Sequence, residues 1–408
     1  MEHFVKVISA QGMWGGVLAT LTFVVIGFLV TRMGLFTKET NQKLSQFTLK
    51  WALPFLCIVA FMQPANAQLG KEIGIVVGIS IVFYVLAAVI SELIVKFGPK
   101  MMPRAIQRKA LEMYEASDKS QSSEHFKAAA VAKYEARLLT IVLMLSYGSL
   151  QFFAYPMVIA MSGSIFDGSA LALAQVWCIP YMIGAFSYVM LKYSGTKVST
   201  KNIKPVIKAV FSPMMCCLYF SLIMWAIQFA VPHKYAIVDG KPYQISDGGK
   251  QFWAGFKTNL PAIGKVLDSG VGIISPLAWL VIGGTLANSN IKKAAKSATV
   301  WTTTALKLIL MPLIMLFIGM ALVAGGLITT STGTLLVLLG ATPPAAVCII
   351  FSVANNHPET SLTAEVSALS TLLCLIAMPV WVIIGYVAMK EVAPQTHAAA
   401  SMLSVALA

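Results

Sequence analysis

Charge is scarce in this chain. Only 11% of its 408 residues are Asp, Glu, Lys or Arg, with 16 acidic residues against 30 basic ones. A soluble globular domain carries roughly 25% charged residues, so a water-exposed fold is excluded. Histidine is rarer still, at five. The six cysteines (Cys57, Cys178, Cys216, Cys217, Cys348 and Cys374) lie in apolar stretches without metal-ligand or redox spacing. They read as small buried hydrophobes, and no metal site is expected. No G-x-x-x-x-G-K-[ST] occurs, which argues against nucleotide hydrolysis within the chain. With so few histidines and no convergent catalytic constellation, a membrane-embedded enzyme is the weaker reading, and no cofactor is expected. The opening MEHFVKVIS lacks a basic segment followed by a small-residue cleavage site, so no cleavable signal is expected.

What the chain has instead is apolar length. Hydrophobic residues make up 58% of it, and the mean hydropathy is +0.78. A spanning helix needs about 20 mostly apolar residues, and ten windows qualify. They run approximately over 12–30, 43–62, 72–95, 138–161, 168–191, 206–231, 267–289, 298–324, 333–353 and 361–388. The fold class is therefore all-α integral membrane, with ten transmembrane helices. Loops after odd-numbered spans carry nineteen of the thirty Lys and Arg residues, and the opposite face carries eight. By the positive-inside rule the basic loops are cytoplasmic and both termini are extracellular, in a multi-pass protein of the plasma membrane. The net charge of +14 then records insertion topology. Its natural partner is an anionic lipid leaflet, and no nucleic acid is implied.

A unit recurs along the chain. Pro54 and Pro156 lie 102 positions apart, and Pro276 and Pro343 lie 67 apart; the difference is close to the length of a hydrophilic insert around 101–137. Five spans per unit force two copies into opposite orientations, the inverted repeat of many secondary transporters. The first repeat covers 1–197 with a cytoplasmic insert at about 98–137. The second covers 198–390 with an extracellular insert at about 233–264, and 391–408 forms a tail. The cytoplasmic insert reads as a helical hairpin, with Ser120, Ser122 and Ser123 as open phosphorylation positions; the extracellular one reads as a turn-rich loop or short β-hairpin.

The stretch GATPPAA at 340–346 places two prolines inside a span. A proline removes a helix hydrogen bond at a cost of about 3 kcal/mol or more. Irregular backbone at membrane depth survives where protein or a water-filled cavity satisfies the freed groups. Pro156 in the fourth span and Pro343 and Pro344 in the ninth therefore mark two broken helices. Their half-helix ends would face one another and suit an anion. An ordinary proline kink is the plain alternative.

The segment GATPPAAVCIIFSVANNHPETSLTAEVSALSTLLCLIAMPVW resembles the end of the auxin efflux carrier family, which includes plant PIN transporters and bacterial malate and malonate permeases. IGFLVTRMGLFTKETNQKLSQFTLKWALPF is similar to the family's opening, SPLAWLVIGGTLA to its seventh helix and LKLILMPLI to its eighth. The resemblance implies a secondary transporter of organic anions. Helices 1, 2, 6 and 7 would form a dimerising scaffold. Helices 3–5 and 8–10 would form a transport domain that moves as an elevator. In the bacterial members the anion is a dicarboxylate such as malate or malonate. A sodium-coupled carrier of bile-acid-symporter type, an indole acid carrier and a transporter-like sensor are the alternatives. Where the family has an Asn-Thr-Gly-like start before the fourth-helix proline, this chain has Ser149-Leu150-Gln151.

Candidate substrate contacts are Tyr147, Ser149 and Gln151 before Pro156, and Thr342 beside Pro343 and Pro344. Polar groups in spans also bond other helices, and Thr342 is equally able to bond back to its own helix. Ser352 and Asn355 read as gate residues. Asn356-His357-Pro358-Glu359 makes a plausible helix start with Asn356 as cap, or His357 or Glu359 titrates in proton coupling. Glu365, an intramembrane carboxylate, is a coupling candidate by default. Lys307 and Lys50 either attract a carboxylate or snorkel to the nearer surface. Glu92 is expected to pair with Lys96 four residues on. The coupling ion is left open between H+ and Na+.

Overall fold

The computed structural model describes residues 11–102, 104–115, 123–195, 203–231, 235–238, 241–244 and 251–394. The first residues, Ser120 and Ser122, the tail beyond 394 and part of the 233–264 insert lie outside the described residues.

In chain order the first half comprises α1 (Gln11–Arg32), α2 (Lys38–Phe47), α3 (Leu53–Ala60), α4 (Ala67–Phe97), α5 (Arg104–Glu115), α6 (Ser123–Ser146), α7 (Tyr155–Ala160), α8 (Ala170–Gly184) and α9 (Met190–Ser194). The second comprises α10 (Ile203–Val210), α11 (Pro213–Ile227), the strands β1 (Tyr235–Val238) and β2 (Lys241–Gln244), α12 (Phe256–Asn259), α13 (Pro261–Gly272) and α14 (Ile274–Ala287). Then follow α15 (Ile291–Ala294), α16 (Ala298–Ala305), α17 (Met311–Ala324), α18 (Thr330–Ala341), α19 (Ala346–Ala354) and α20 (Thr360–Val392).

Helix occurs in every one of the ten apolar windows. Among the described residues six helical stretches are long and apolar enough to cross a membrane: Trp14–Arg32, Ala67–Phe97, Ala170–Ser194, Pro261–Ala287, Ala298–Ala324 and Thr360–Val392. The fourth, sixth and ninth windows yield shorter apolar helices, Leu150–Ala160, Pro213–Ile227 and Thr330–Ala341. The second window starts within the polar run KETNQKLSQF of α2, which takes its N-cap from the Thr37 hydroxyl.

Among the described residues four wide π-helical turns interrupt these helices, at Thr48–Ala52, Leu150–Ala154, Ala185–Val189 and Leu306–Leu310. Three of them contain the residue four before a proline: Lys50 before Pro54, Phe152 before Pro156 and Leu308 before Pro312. A proline ring crowds that residue's carbonyl and leaves it without a donor, and a one-residue expansion of the turn relieves both.

Small residues set a close helix crossing between α1 and α14. A Cβ on Gly283 of α14 would lie 2.1 Å from the Val24 carbonyl oxygen of α1, and one on Gly27 of α1 would lie 2.3 Å from that of Leu280. Only glycine permits the two backbones to approach so closely. At the opposite extreme α18 is buried all round, from Ser331 to Ala341, which makes it the centre of the bundle. The exposed faces of the outer helices are apolar: Leu18, Val82, Phe317 and Ile376 are 56–71% exposed. Such surface suits lipid and not water.

Among the described residues both inserts carry regular structure. β1 and β2 pair antiparallel, with Tyr235 opposite Gln244 and Val238 opposite Lys241. α5 packs on α6, as a helical hairpin requires. The insert boundary is revised, however: α6 runs without interruption from Ser123 into the fourth window, because AAAVAKYEARLL is rich in strong helix formers. All six cysteines are free, but Cys216 is exposed on the outer face of α11 instead of buried.

Candidate functional site

Two interrupted helices meet at the middle of the bundle. In the second, α18 stops at Ala341, and Thr342 and Ala345 are extended around the two prolines (ψ 144° and 142°) before α19 begins. In the first, α6 stops at Ser146 and the chain resumes helix at Leu150. The interruption there is Tyr147-Gly148-Ser149, which corrects the expectation that Pro156 marks it. Pro156 is buried in the continuing second half, where the wide turn Leu150–Ala154 absorbs its ring. The break falls at the glycine because the partner chain must come within contact distance of its backbone.

Each break satisfies the other. Gly148 and Pro344 form an antiparallel bridge. The Ser149 amide donates to the Pro343 carbonyl at 2.8 Å, and the Ala345 amide donates to the Tyr147 carbonyl at 2.8 Å. Prolines 343 and 344 offer no amide hydrogen, so the pairing uses the Pro343 carbonyl as acceptor and the Ala345 amide just beyond them as donor. The approach is as close as a missing side chain allows: a Cβ on Gly148 would lie 2.1 Å from Thr342 Oγ1.

A lysine stands against this crossing. Lys307, in the wide turn between α16 and α17, is 2% exposed, and its Nζ donates to the Leu145 carbonyl at 2.8 Å. The same Nζ lies 3.5 Å from the position a Gly148 Cβ would take. Among the described residues no carboxylate lies within ion-pair distance of it. Lys307 therefore does not snorkel; it is buried where the helices break. Lys50, by contrast, is exposed. Tyr84, Tyr147 and Tyr181 pack around the site with ring centroids 5.1–5.9 Å apart, and Trp177 Nε1 donates to the Tyr84 hydroxyl at 3.2 Å. Lys307, Tyr84, Ser146, Gly148, Trp177 and Gly340 line a cavity of about 10 Å³, room for roughly one water molecule. The crossing is closed in this conformation.

The other sequence candidates divide. Tyr147, Ser149, Thr342, Pro343, Pro344 and Lys307 converge on the crossing. Thr342 takes the back-bonded form, with Oγ1 donating to the Leu339 carbonyl at 2.8 Å. Gln151 points away, its Nε2 directed at the sulfurs of Cys178 and Met182 at 3.6 and 3.7 Å. Those are weak acceptors.

Ser352 sits about 12 Å along α19 from the crossing at 1.5 Å per residue. There it joins Thr363 through a 2.9 Å hydroxyl pair, and its carbonyl accepts from the His357 amide. Asn355 is exposed and bonds the Phe351 carbonyl. His357 stacks edge-on against Tyr193 with centroids 4.9 Å apart, and burial lowers its pKa from the ordinary 6.5 while Glu359 opposes the shift. The Asn356 cap is not formed: Asn356 is left-handed (φ 48°) and α20 starts at Thr360, preceded by Glu359, which pairs with Arg137.

Glu365 faces a separate cavity of about 400 Å³ between α2, α14 and α15 on one side and α19 and α20 on the other. It accepts from Lys293 at 2.8 Å and from Ser361 at 2.7 Å. Glu92 pairs with Lys192 of α9 instead of Lys96, because α9 brings a cation against it while Lys96 lies over the Phe97 ring.

One buried acid escaped the sequence reading. Glu72 on α4 is 1% exposed and accepts from the Thr329 amide at 2.8 Å, the Thr332 hydroxyl and Gln68 Nε2 at 2.7 Å. It caps the N-terminus of α18 from another helix, where negative charge is favoured. Its signal was present: a lone acid one turn into an apolar helix.

No curated protein matches the chain. The sequence profile of the membrane transport protein family matches residues 126–382, which take in both helix breaks, Lys307 and Glu365. A bundle of apolar helices with two mutually bridged breaks at its centre, matched over most of its length by that profile, belongs to the membrane transport protein family of the auxin efflux carriers and is a multi-pass membrane transporter.

Proposed function

We propose that the chain is a secondary active transporter of a small organic anion, a dicarboxylate such as malate or malonate, bound at the crossing of the two interrupted helices. The observation that carries this is the Lys307 ammonium, buried beside the Gly148–Pro344 bridge with no carboxylate partner among the described residues. A buried charge without a counter-charge is costly, and an anionic solute supplies one. The α19 start lends its partial positive charge to the same point, and Ser149 provides a hydroxyl, while the Tyr147 hydroxyl lies against Gly184 of α8. The closed cavity supports a carrier that opens around its solute in place of a continuous pore.

In this reading ten spans form two inverted five-helix units with both termini outside the plasma membrane. α1–α3, α11, α13 and α14 form the scaffold and the dimer contact. α4, α6–α9 and α16–α20 form the moving part. The cavity at Glu365 separates the two, and its partner Lys293 lies on α15, the turn that joins the scaffold helix α14 to the moving helix α16. Protons or sodium ions drive the cycle.

The test is counterflow in proteoliposomes with labelled malate, malonate, citrate and indole-acetate, under imposed pH or sodium gradients. Intact protein is expected to exchange at least one dicarboxylate. Lys307→Met and the Pro343→Ala/Pro344→Ala variant should lose it while remaining folded. If both variants exchange the anion at the intact rate, the crossing is not the site.

A further inference from the structure

The end of α4 carries a surface feature that transport at the crossing does not use. Leu93, Ile94, Phe97 and Gly98 of α4 and the following turn, with Tyr134 and Leu138 of α6, line an apolar groove of about 420 Å³. Gly98 forms its floor: a Cβ there would lie 2.2 Å from Leu138 Cδ1, so the missing side chain lets α6 close against α4. Along α4 the groove continues into an outward apolar track, Leu86, Val89, Ile90, Leu93 and Phe97, each 45–52% exposed. These residues recur at helical spacing over about 16 Å of axis, roughly half the 30 Å hydrocarbon core of a bilayer. α4 is 31 residues long, about 46 Å and longer than that core, and the last turn, which carries Lys96, suits the headgroup layer.

Two cations stand at that last turn. Lys96 and Lys100 are exposed, and their Nζ atoms lie 5.6 and 5.5 Å from the centroid of the Phe97 ring. Among the described residues neither has a carboxylate within ion-pair distance. Ammonium groups near an anionic leaflet attract its lipids. An apolar track one leaflet long that ends in two unpaired ammoniums has the outline of a single phospholipid, chain below and phosphate above.

We propose that the groove between α4 and α6 is a specific site for an anionic phospholipid, whose phosphate is held between Lys96 and Lys100 and whose acyl chain lies along Leu86–Phe97. The site is independent of the solute carried at the crossing, and lipid binding is measured without transport. It also gives the Phe97 ring a role: it holds both lysine stems at one height, so that one phosphate meets both.

Native mass spectrometry of the full-length protein, released from nanodiscs containing equal amounts of phosphatidylglycerol and phosphatidylcholine with matched chains, tests the site. Two lysines at about 1 kcal/mol each correspond to a preference for phosphatidylglycerol of about thirtyfold. The Lys96→Gln/Lys100→Gln variant is expected to bring that preference to within about threefold of unity. Leu138→Trp, which fills the groove and leaves both lysines, should lower retention of either lipid. Size-exclusion chromatography and circular dichroism check that the variants are folded. Equal retention of both lipids by the intact protein overturns the proposal, as does full preference in the double lysine variant. Disulfide capture of Leu93→Cys between two copies would show the groove to be a protein interface and overturn it too.

Discussion

Gly148→Ala is the sharpest perturbation of the crossing. The added Cβ would lie 2.1 Å from Thr342 Oγ1, 3.3 Å from Thr342 Cβ and 3.5 Å from Lys307 Nζ. The first contact is impossible, the second tight and the third ordinary. Thr342 is 0% exposed and held by its bond to Leu339, so it cannot swing aside without loss. Overpacking a core typically costs about 1–3 kcal/mol. Separating the strands would also weaken the two 2.8 Å bonds across the bridge, each contributing about 1 kcal/mol. A destabilisation of about 2–4 kcal/mol follows, with loss of transport.

Thr342→Ala removes the clashing oxygen at the expense of the Leu339 bond, about 1 kcal/mol. The double variant Gly148→Ala/Thr342→Ala retains only the tight 3.3 Å contact and the ordinary 3.5 Å one to Lys307 Nζ. It should therefore be more stable than Gly148→Ala alone, with a coupling energy of about 1–3 kcal/mol. Thermal unfolding in detergent, read alongside counterflow, measures both quantities. If Gly148→Ala unfolds at the wild-type temperature, or if the two changes simply add, the mutual support of the two breaks is wrongly described.

Three further outcomes are expected. Glu72→Ala leaves the Thr329 amide, the Thr332 hydroxyl and Gln68 without their acceptor. It should cost about 2–3 kcal/mol and expose the start of α18 to hydrogen exchange; unchanged protection at 329–333 would refute the cap. At the Glu365 cavity, Lys293→Glu sets two carboxylates against each other. Transport should drop several-fold and recover in the Lys293→Glu/Glu365→Lys swap; a swap no better than the single change removes the pair from the cycle. His357 has its folded-state pKa below the ordinary 6.5, so the unfolded chain binds the proton first and stability falls as pH drops below about 6.5. Exchange protection of residues 352–360, corrected for intrinsic rate, should therefore fall between pH 7.5 and 5.5, and His357→Phe should abolish that dependence.

The helical windows were legible because each is a local property: about twenty apolar residues must pair their backbone groups internally in lipid. The doublet Pro343-Pro344 announced its own break for the same reason, since a lost amide is written in the residue type. Pro156 misled because a single proline leaves two outcomes open, a break or a widened turn. Which of them forms depends on the neighbour, and Gly148, eight residues earlier, is where α18 and α19 need the space. Lys307 was equally ambiguous along the chain, because a lysine two or three turns from a helix end snorkels or is buried according to what surrounds it. Gln151 and Ser149 differ by two positions, and helical geometry sends one toward sulfur atoms and the other to the bridge.

Composition and spacing alone therefore determined that this is a helical membrane protein with an interruption in its ninth window, since burial of backbone polar groups in lipid admits few alternatives. Only the tertiary structure decided where the partner interruption lies, which cation stands beside it and which acid caps α18. Those are contacts between residues 159 to 260 positions apart, and no local rule of helix or hydropathy reaches across such a separation.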